Sequence, residues 1–197
     1  MKLTWMALAI GLIFAASPAS AADMKLDLNI PEVNVEGLQG NGNAVALWVE
    51  DVRQEKILGK NLQGDDVVLG SDVVAAVMAN ASSSLRTAGF KVEPYQVNAP
   101  VAMLISIKSL SYAAEKGMVT NTAKLSARFI ATLSSNGVMV KERTIGTSGE
   151  YTLTLWAGKK KISELVSESL GDTVSALLQD SDTVTFLKEA PQGVPAQ

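Results

Sequence analysis

Residues 101–155 constrain the fold of this chain more than any other stretch. Val101, Met103, Ile105 and Ile107 alternate strictly with other residues, which is the two-residue period of a strand with one buried face. Near Ser109 the phase changes, because Leu110 and Tyr112 take the opposite parity, and a bulge or strong bend is the economical way to do that. Ala123, Leu125, Ala127, Phe129 and Ala131 then alternate with Lys124, Ser126, Arg128, Ile130 and Thr132, as in an antiparallel strand with one wet side. Asn136-Gly137 follows, the pair that a two-residue hairpin turn prefers because both positions need positive φ. The return strand begins at Val138, is mostly polar over 140–144, has Gly146 and Gly149 as points of expected distortion, and resumes alternation at Tyr151, Leu153 and Leu155.

A sheet of this kind needs an apolar cover. Val74, Val77, Met78, Ala81, Leu85 and Ala88 fall on one face of a helix, with Ser71 as expected N-cap, Asp72 in the first turn and Gly89 as the stop. Phe90 and Val92 then lead into a short strand that ends before Asn98-Ala99-Pro100. A second helix is predicted over 162–178, with Ile162, Leu165, Val166, Leu170, Val174, Leu177 and Leu178 inward. Gly171 inside it points to a close helix–sheet approach. A short final helix over 180–188, capped by Asp182, turns Val184 and Leu187 inward.

Upstream, residues 44–52 read as a strand, with Val45, Leu47 and Val49 on one face and Ala46 and Trp48 on the other. The pieces at 57–59 and 67–70 read as a loop with one short strand. Residues 23–43, with Pro31 and then Gly37, Gly40 and Gly42, read as an extended N-terminal tether whose first half adds at most an edge strand. Residues 1–22 have the form of a secretory signal peptide: Lys2, an apolar stretch over 3–16, and Ala19-Ser20-Ala21 for cleavage. The apolar core is shorter than the ~20 residues that span a bilayer, which disfavours an uncleaved anchor. The expected organisation is signal 1–22, tether 23–43, one α/β domain 44–190 and a flexible tail 191–197. The expected fold class is α+β, a two-layer sandwich with an antiparallel-rich sheet of four to six strands and two main helices on one face.

The composition excludes several mechanisms. The 197 residues contain no His and no Cys, so Ser–His and Cys–His nucleophiles, the usual zinc sites and disulfides are out of reach. A formal charge of −3 argues against nucleic acid as a partner. Ser83, Ser84, Lys108 and Lys124 form no Ser-x-x-Lys motif; the serine run 82–84 reads instead as a solvated helix face. The Gly37, Gly40, Gly42 cluster lacks a phosphate-loop pattern. No catalytic, cofactor-binding or metal-ligating residue is expected, and no enzyme.

Six residues remain as candidates for an interaction. Asp51 and Arg53 lie two apart at a strand end, on the same side, and form either a structural clamp for the next loop or a partner contact. Lys159, Lys160 and Lys161 open the second helix, where the dipole disfavours cations, and form either a solvated turn or a contact for an acidic glycolipid or glycan. Trp156 beside them either packs on the sheet or anchors a partner.

The pattern from 44 to 190 resembles the YajG-like family of Gram-negative envelope proteins, most of them lipoproteins. The resemblance rests on the strand ending in Asp51-x-Arg53, the helix closing in Ala88-Gly89-Phe90, the strands 101–110 and 123–133, and the segment 177–188 with Asp180, Asp182, Phe186 and Leu187. It implies an envelope location and a compact α/β domain, and supplies no active site. The chain departs from the lipoprotein pattern in lacking the Cys of a lipobox, so a covalent lipid anchor through such a Cys is not expected. The resulting expectation is a non-enzymatic periplasmic interaction module for an unidentified envelope protein; the alternative is a periplasmic lipid or glycan carrier.

Overall fold

The computed structural model describes residues 23–153 and 157–189. The expected signal segment 1–22, Trp156 and the tail 191–197 lie outside the described residues. The elements run β1 (Asp23–Leu26), β2 (Ala44–Asp51), β3 (Ile57–Lys60), β4 (Asp66–Leu69), α1 (Val73–Thr87), β5 (Lys91–Pro94), β6 (Ala102–Glu115), β7 (Asn121–Ser135), β8 (Val138–Leu153), α2 (Lys159–Gln179) and α3 (Ser181–Glu189).

They form a five-stranded sheet of order β5-β2-β6-β7-β8 and a three-stranded sheet of order β1-β4-β3. The class is α+β, as expected, but the sheets are mixed rather than antiparallel-rich. β2 runs parallel to both β5 and β6, and β1 parallel to β4, while β3–β4, β6–β7 and β7–β8 are antiparallel. The β3–β4 hairpin and α1 give the chain the length that a crossover from β2 to the parallel β5 requires. From β5 the 95–101 link passes β2 to reach β6. Ala46, Ala99 and Ala102 form a small buried cluster there with Tyr95 against it, and a larger side chain at Ala46 would crowd that passage.

The apolar stripes behave as their periodicity dictates. Val45, Leu47 and Val49 of β2, Met103, Ile105 and Ile107 of β6, and the odd residues of β7 from Ala123 to Leu133 are buried in one core with Val77, Ala81 and Leu85 of α1. The seven inward residues of α2 join them. Register slips between Ile107 and Ser109, where the phase change predicts it. The turn at Asn136-Gly137 has φ of 50° and 80°, both positive, as a two-residue hairpin of this kind demands. Pairing runs unbroken through Gly146 and Gly149; the only slip in β8 lies beside the turn, between Leu133 and Ser134.

Several expectations change. Asp72, not Ser71, caps α1: its Oδ1 accepts from the backbone N–H of Val74 and Ala75, while Ser71 Oγ accepts from Leu28 N. Ser82 and Ser84 are buried rather than solvated; Ser84 Oγ donates to Asn80 O within the helix, and this local bond lets a hydroxyl sit in an apolar contact. The segments at 57–60 and 66–69 pair as a hairpin instead of one strand and a loop. Asp180, not Asp182, caps α3 through bonds to Thr183 N and Oγ1.

The largest change concerns residues 23–43. They are extended, but they form a packed strap rather than a free tether. Leu26, Val35 and Leu38 are buried in the main core. Asp27 N and Asn29 N donate to Ser163 Oγ and Ser167 Oγ, one helical turn apart on α2. Asn80 Nδ2 of α1 donates to Pro31 O at 2.7 Å. A Cβ on Gly171 would meet Ile30 Cγ2 at 3.3 Å, so the close approach expected at that glycine is to the strap, not to the sheet. The strap ends by donating from Gly40 N and Gly42 N to the carbonyls of Ala88 and Gly89 at the close of α1.

Candidate functional site

Asp51 is the last residue of β2, and its carboxylate is saturated by its neighbour two positions on. Arg53 Nε and Nη2 donate to its two oxygens at 2.8 and 2.9 Å, the Arg53 backbone N–H at 3.1 Å, and Lys56 Nζ at 2.8 Å. The Arg53 side chain is only 4% exposed and that of Asp51 15%. The Arg53 hydrogen bonds hold the Asp51 carboxyl far below the usual carboxylate range, against the upward push of burial. Asp51 and Arg53 therefore do make a clamp for the loop after β2. One donor is left over: Arg53 Nη1 is buried and has no hydrogen-bond partner.

That clamp forms part of the wall of a cleft of about 440 Å³ between the 52–58 loop and the bulge of β6. The bulge turns Lys108 and Ser109 both outward, and both line the cleft with Ile57, Leu58 and Leu110. Below it, Gly59 has φ +153°, and a Cβ there would stand 1.7 Å from the Tyr112 carbonyl oxygen, so only glycine lets β3 lie on β6 at this point.

The three lysines open α2, which starts three residues earlier than the apolar stripe predicts. Lys159 Nζ pairs with Asp27 of the strap at 2.6 Å, and Lys161 approaches Glu164 at 3.8 Å. Lys159 and Lys160 line a second cleft of about 400 Å³ with Asp27, Asn29, Ser163, Glu164 and Ser167. The sequence candidates thus divide between two clefts, Arg53 in the first and Lys159 and Lys160 in the second.

Sequence reasoning missed a third feature. Among the described residues, β8 is an edge strand of 16 residues with β7 as its neighbour on one side only. Edges of this length are usually blunted by proline, charge or a cover. β8 contains no proline, its two cations are drawn toward α3 (Lys141 to Asp182 at 2.7 Å, Arg143 to Asp180 at 2.9 Å and to Asp182 at 3.1 Å), and its other charges are the exposed Glu142 and Glu150. Burial works to raise the Asp180 carboxyl, and the bonds from Arg143 and Thr183 outweigh it, leaving it below the usual range. The strand starts with Val138, Met139 and Val140, which are 67%, 61% and 57% exposed, and Val97 beside the same turn is 67% exposed. Asn136 N donates to Ala99 O and holds the turn against the 97–99 link, which gathers these apolar residues at one end of the sheet. The run Val138-Met139-Val140 was the signal in the sequence.

A family model described as "uncharacterized lipoprotein" matches residues 31–188. The chain belongs to this YajG-like family. No curated protein matches the sequence. Among solved structures, protein XCC0632 from Xanthomonas campestris is similar with a TM-score of 0.53 at 9% identity, over 85% of this chain and 95% of that one. Rare lipoprotein B from Shewanella oneidensis has a TM-score of 0.47 at 13% identity, covering 75% and 99%. A minor lipoprotein from Acinetobacter baumannii has 0.42 at 10%, covering 84% and 100%. At 9% identity the likeness to XCC0632 speaks for the fold alone. The YajG-like match begins inside the strap, at the residue whose carbonyl Asn80 holds. Among the described residues, no helix is long and apolar enough to cross a membrane.

Proposed function

We propose that this YajG-like chain is a non-enzymatic interaction module of the Gram-negative periplasm, exported by a cleaved signal peptide, that receives an extended segment of an envelope protein along β8. The observation that carries the reading is the 16-residue edge strand opening on three consecutive exposed apolar residues. Main-chain N–H and C=O groups along such an edge supply affinity to any strand laid beside them, and the apolar end supplies a place to anchor it. The candidate residues from the sequence support the scaffold in this reading: Asp51 and Arg53 fix the loop after β2, and Lys159 ties the strap to α2.

The test replaces Met139 and Val140 by lysine together. Both side chains are exposed, so the fold should hold, with a change within about 0.5 kcal/mol. A partner that co-purifies with the wild-type chain from periplasm is expected to be lost from the variant. An unchanged partner set contradicts the reading, and so does turnover of a substrate by the purified chain. Recovery of a lipid or glycan in place of a protein favours the carrier reading, to which the Lys160 cleft lends itself.

A further inference from the structure

The Arg53 cleft carries an inference independent of β8. A guanidinium has five N–H donors in a rigid fork. Asp51 takes Nε and Nη2, and Nη1 keeps its donors inside the protein with nothing to accept them. A buried charged donor without an acceptor is costly enough that native structures nearly always provide one. The Asp51 carboxylate cannot swing to serve it without giving up the bonds that hold the clamp.

The surroundings of Arg53 define what the acceptor is. Lys108 lines the same cleft, turned outward at the β6 bulge, and its side chain has no hydrogen bond or ion pair among the described residues. Arg53 and Lys56 share the single charge of Asp51, and Glu55 lines the cleft with Lys108, so three cations stand against two anions. The charge left to meet a ligand is thus small and positive, suited to one negative charge rather than to a phosphate cluster. The apolar part of the wall is Val52 and Ile57, 40% and 47% exposed, with the buried Leu58 and Leu110, and Gln54, Ser109 and Ser111 complete it. An apolar pocket with a few convergent donors is the usual form of a small-ligand site.

We propose that this cleft binds a carboxylate carried on an apolar body, with Arg53 Nη1 and Lys108 Nζ as its donors and Val52, Ile57 and Leu110 against its apolar part. Nη1 is buried, so binding requires Gln54 and Glu55, exposed on the loop between β2 and β3 and lining the same cleft, to shift as the carboxylate enters. Such a carboxylate comes either from a free amphiphile or from the C-terminus of a peptide.

The test is an NMR titration of the whole chain with two acids, decanoate below its micelle concentration and N-acetyl-Ala-Val-Leu, each beside a neutral counterpart, decanol and the peptide amide. Expected are shifts of the Leu58, Lys108 and Ser109 amides with an acid and not with its neutral counterpart. Lys108→Met, a change at an exposed side chain that leaves the clamp in place, should weaken the acid about tenfold. Response to decanoate alone assigns the amphiphile, response to the peptide acid alone assigns a peptide terminus, and response to both leaves the carboxylate as the shared determinant. If neither acid shifts those amides, if the neutral forms shift them equally, or if Lys108→Met binds as the wild type does, the proposal is overturned.

Discussion

Replacing Asp51 by alanine should destabilise this chain more than its position at a strand end suggests. The change removes the acceptors of four hydrogen bonds, three from Arg53 and one from Lys56. The Lys56 bond is exposed and worth little, since the Lys56 side chain is 61% exposed. The Arg53 bonds are different, because their loss leaves a guanidinium that is 4% exposed with all its donors unpaired. Breaking a buried pair from one side costs about 3–5 kcal/mol. For a chain of this size each kcal/mol moves the midpoint about 2–4 °C, so thermal unfolding by circular dichroism should show a drop of roughly 6–20 °C. Asp51→Ala combined with Arg53→Met should recover much of that loss, because no stranded charge remains. Acid titration gives a second readout. The folded carboxyl lies below its ordinary value of 3.8, so its contribution is fully present above that value and fades as the pH falls below it toward the folded value. Wild-type stability should therefore fall through this window more steeply than that of Asp51→Ala. A loss under about 1 kcal/mol, or parallel acid profiles, would refute the clamp as a buried pair.

Two other changes test the packing. Leu26→Ala should cost about 2–5 kcal/mol in urea unfolding, because the side chain is fully buried in the main core; a free tether would tolerate it within about 0.5 kcal/mol. Tyr112→Phe should stabilise by about 1 kcal/mol, since the phenol oxygen is buried without a partner and the ring otherwise keeps its place; a clear loss would mean that the hydroxyl is paired.

The sequence revealed those parts of the fold that local period decides. The β7–β8 hairpin, the bulge after Ile107 and the stripes of α1 and α2 were legible because each is written in consecutive residues. The strap was not, because its partners lie far along the chain: Asn29 meets Ser167, Pro31 meets Asn80 and Gly37 meets Lys188. Proline and clustered glycine describe an irregular backbone equally well whether it is packed or free. Strand direction escaped for a similar reason, since alternation fixes which face of β2 is buried and says nothing of whether its neighbours run parallel. At the candidate sites, the Asp51–Arg53 pair was readable from its spacing, while the spare Nη1 follows from burial, and the place of Lys108 in the same cleft follows from the β6 bulge. The apolar run at the start of β8 was visible in the sequence, but only the strand order shows that it lies on an edge.

Photo-crosslinking in living cells distinguishes edge from face along β8. A photo-reactive residue is placed in turn at Glu142, Thr144, Ser148 and Glu150, which share the exposed face beside the edge, and at Trp48, which is exposed on β2, an inner strand of the same sheet. A segment added along β8 should give one protein adduct of the same mass from successive β8 positions and none from Trp48. Adducts from Trp48 with none from β8, or no protein adduct from any position, would contradict a docking edge.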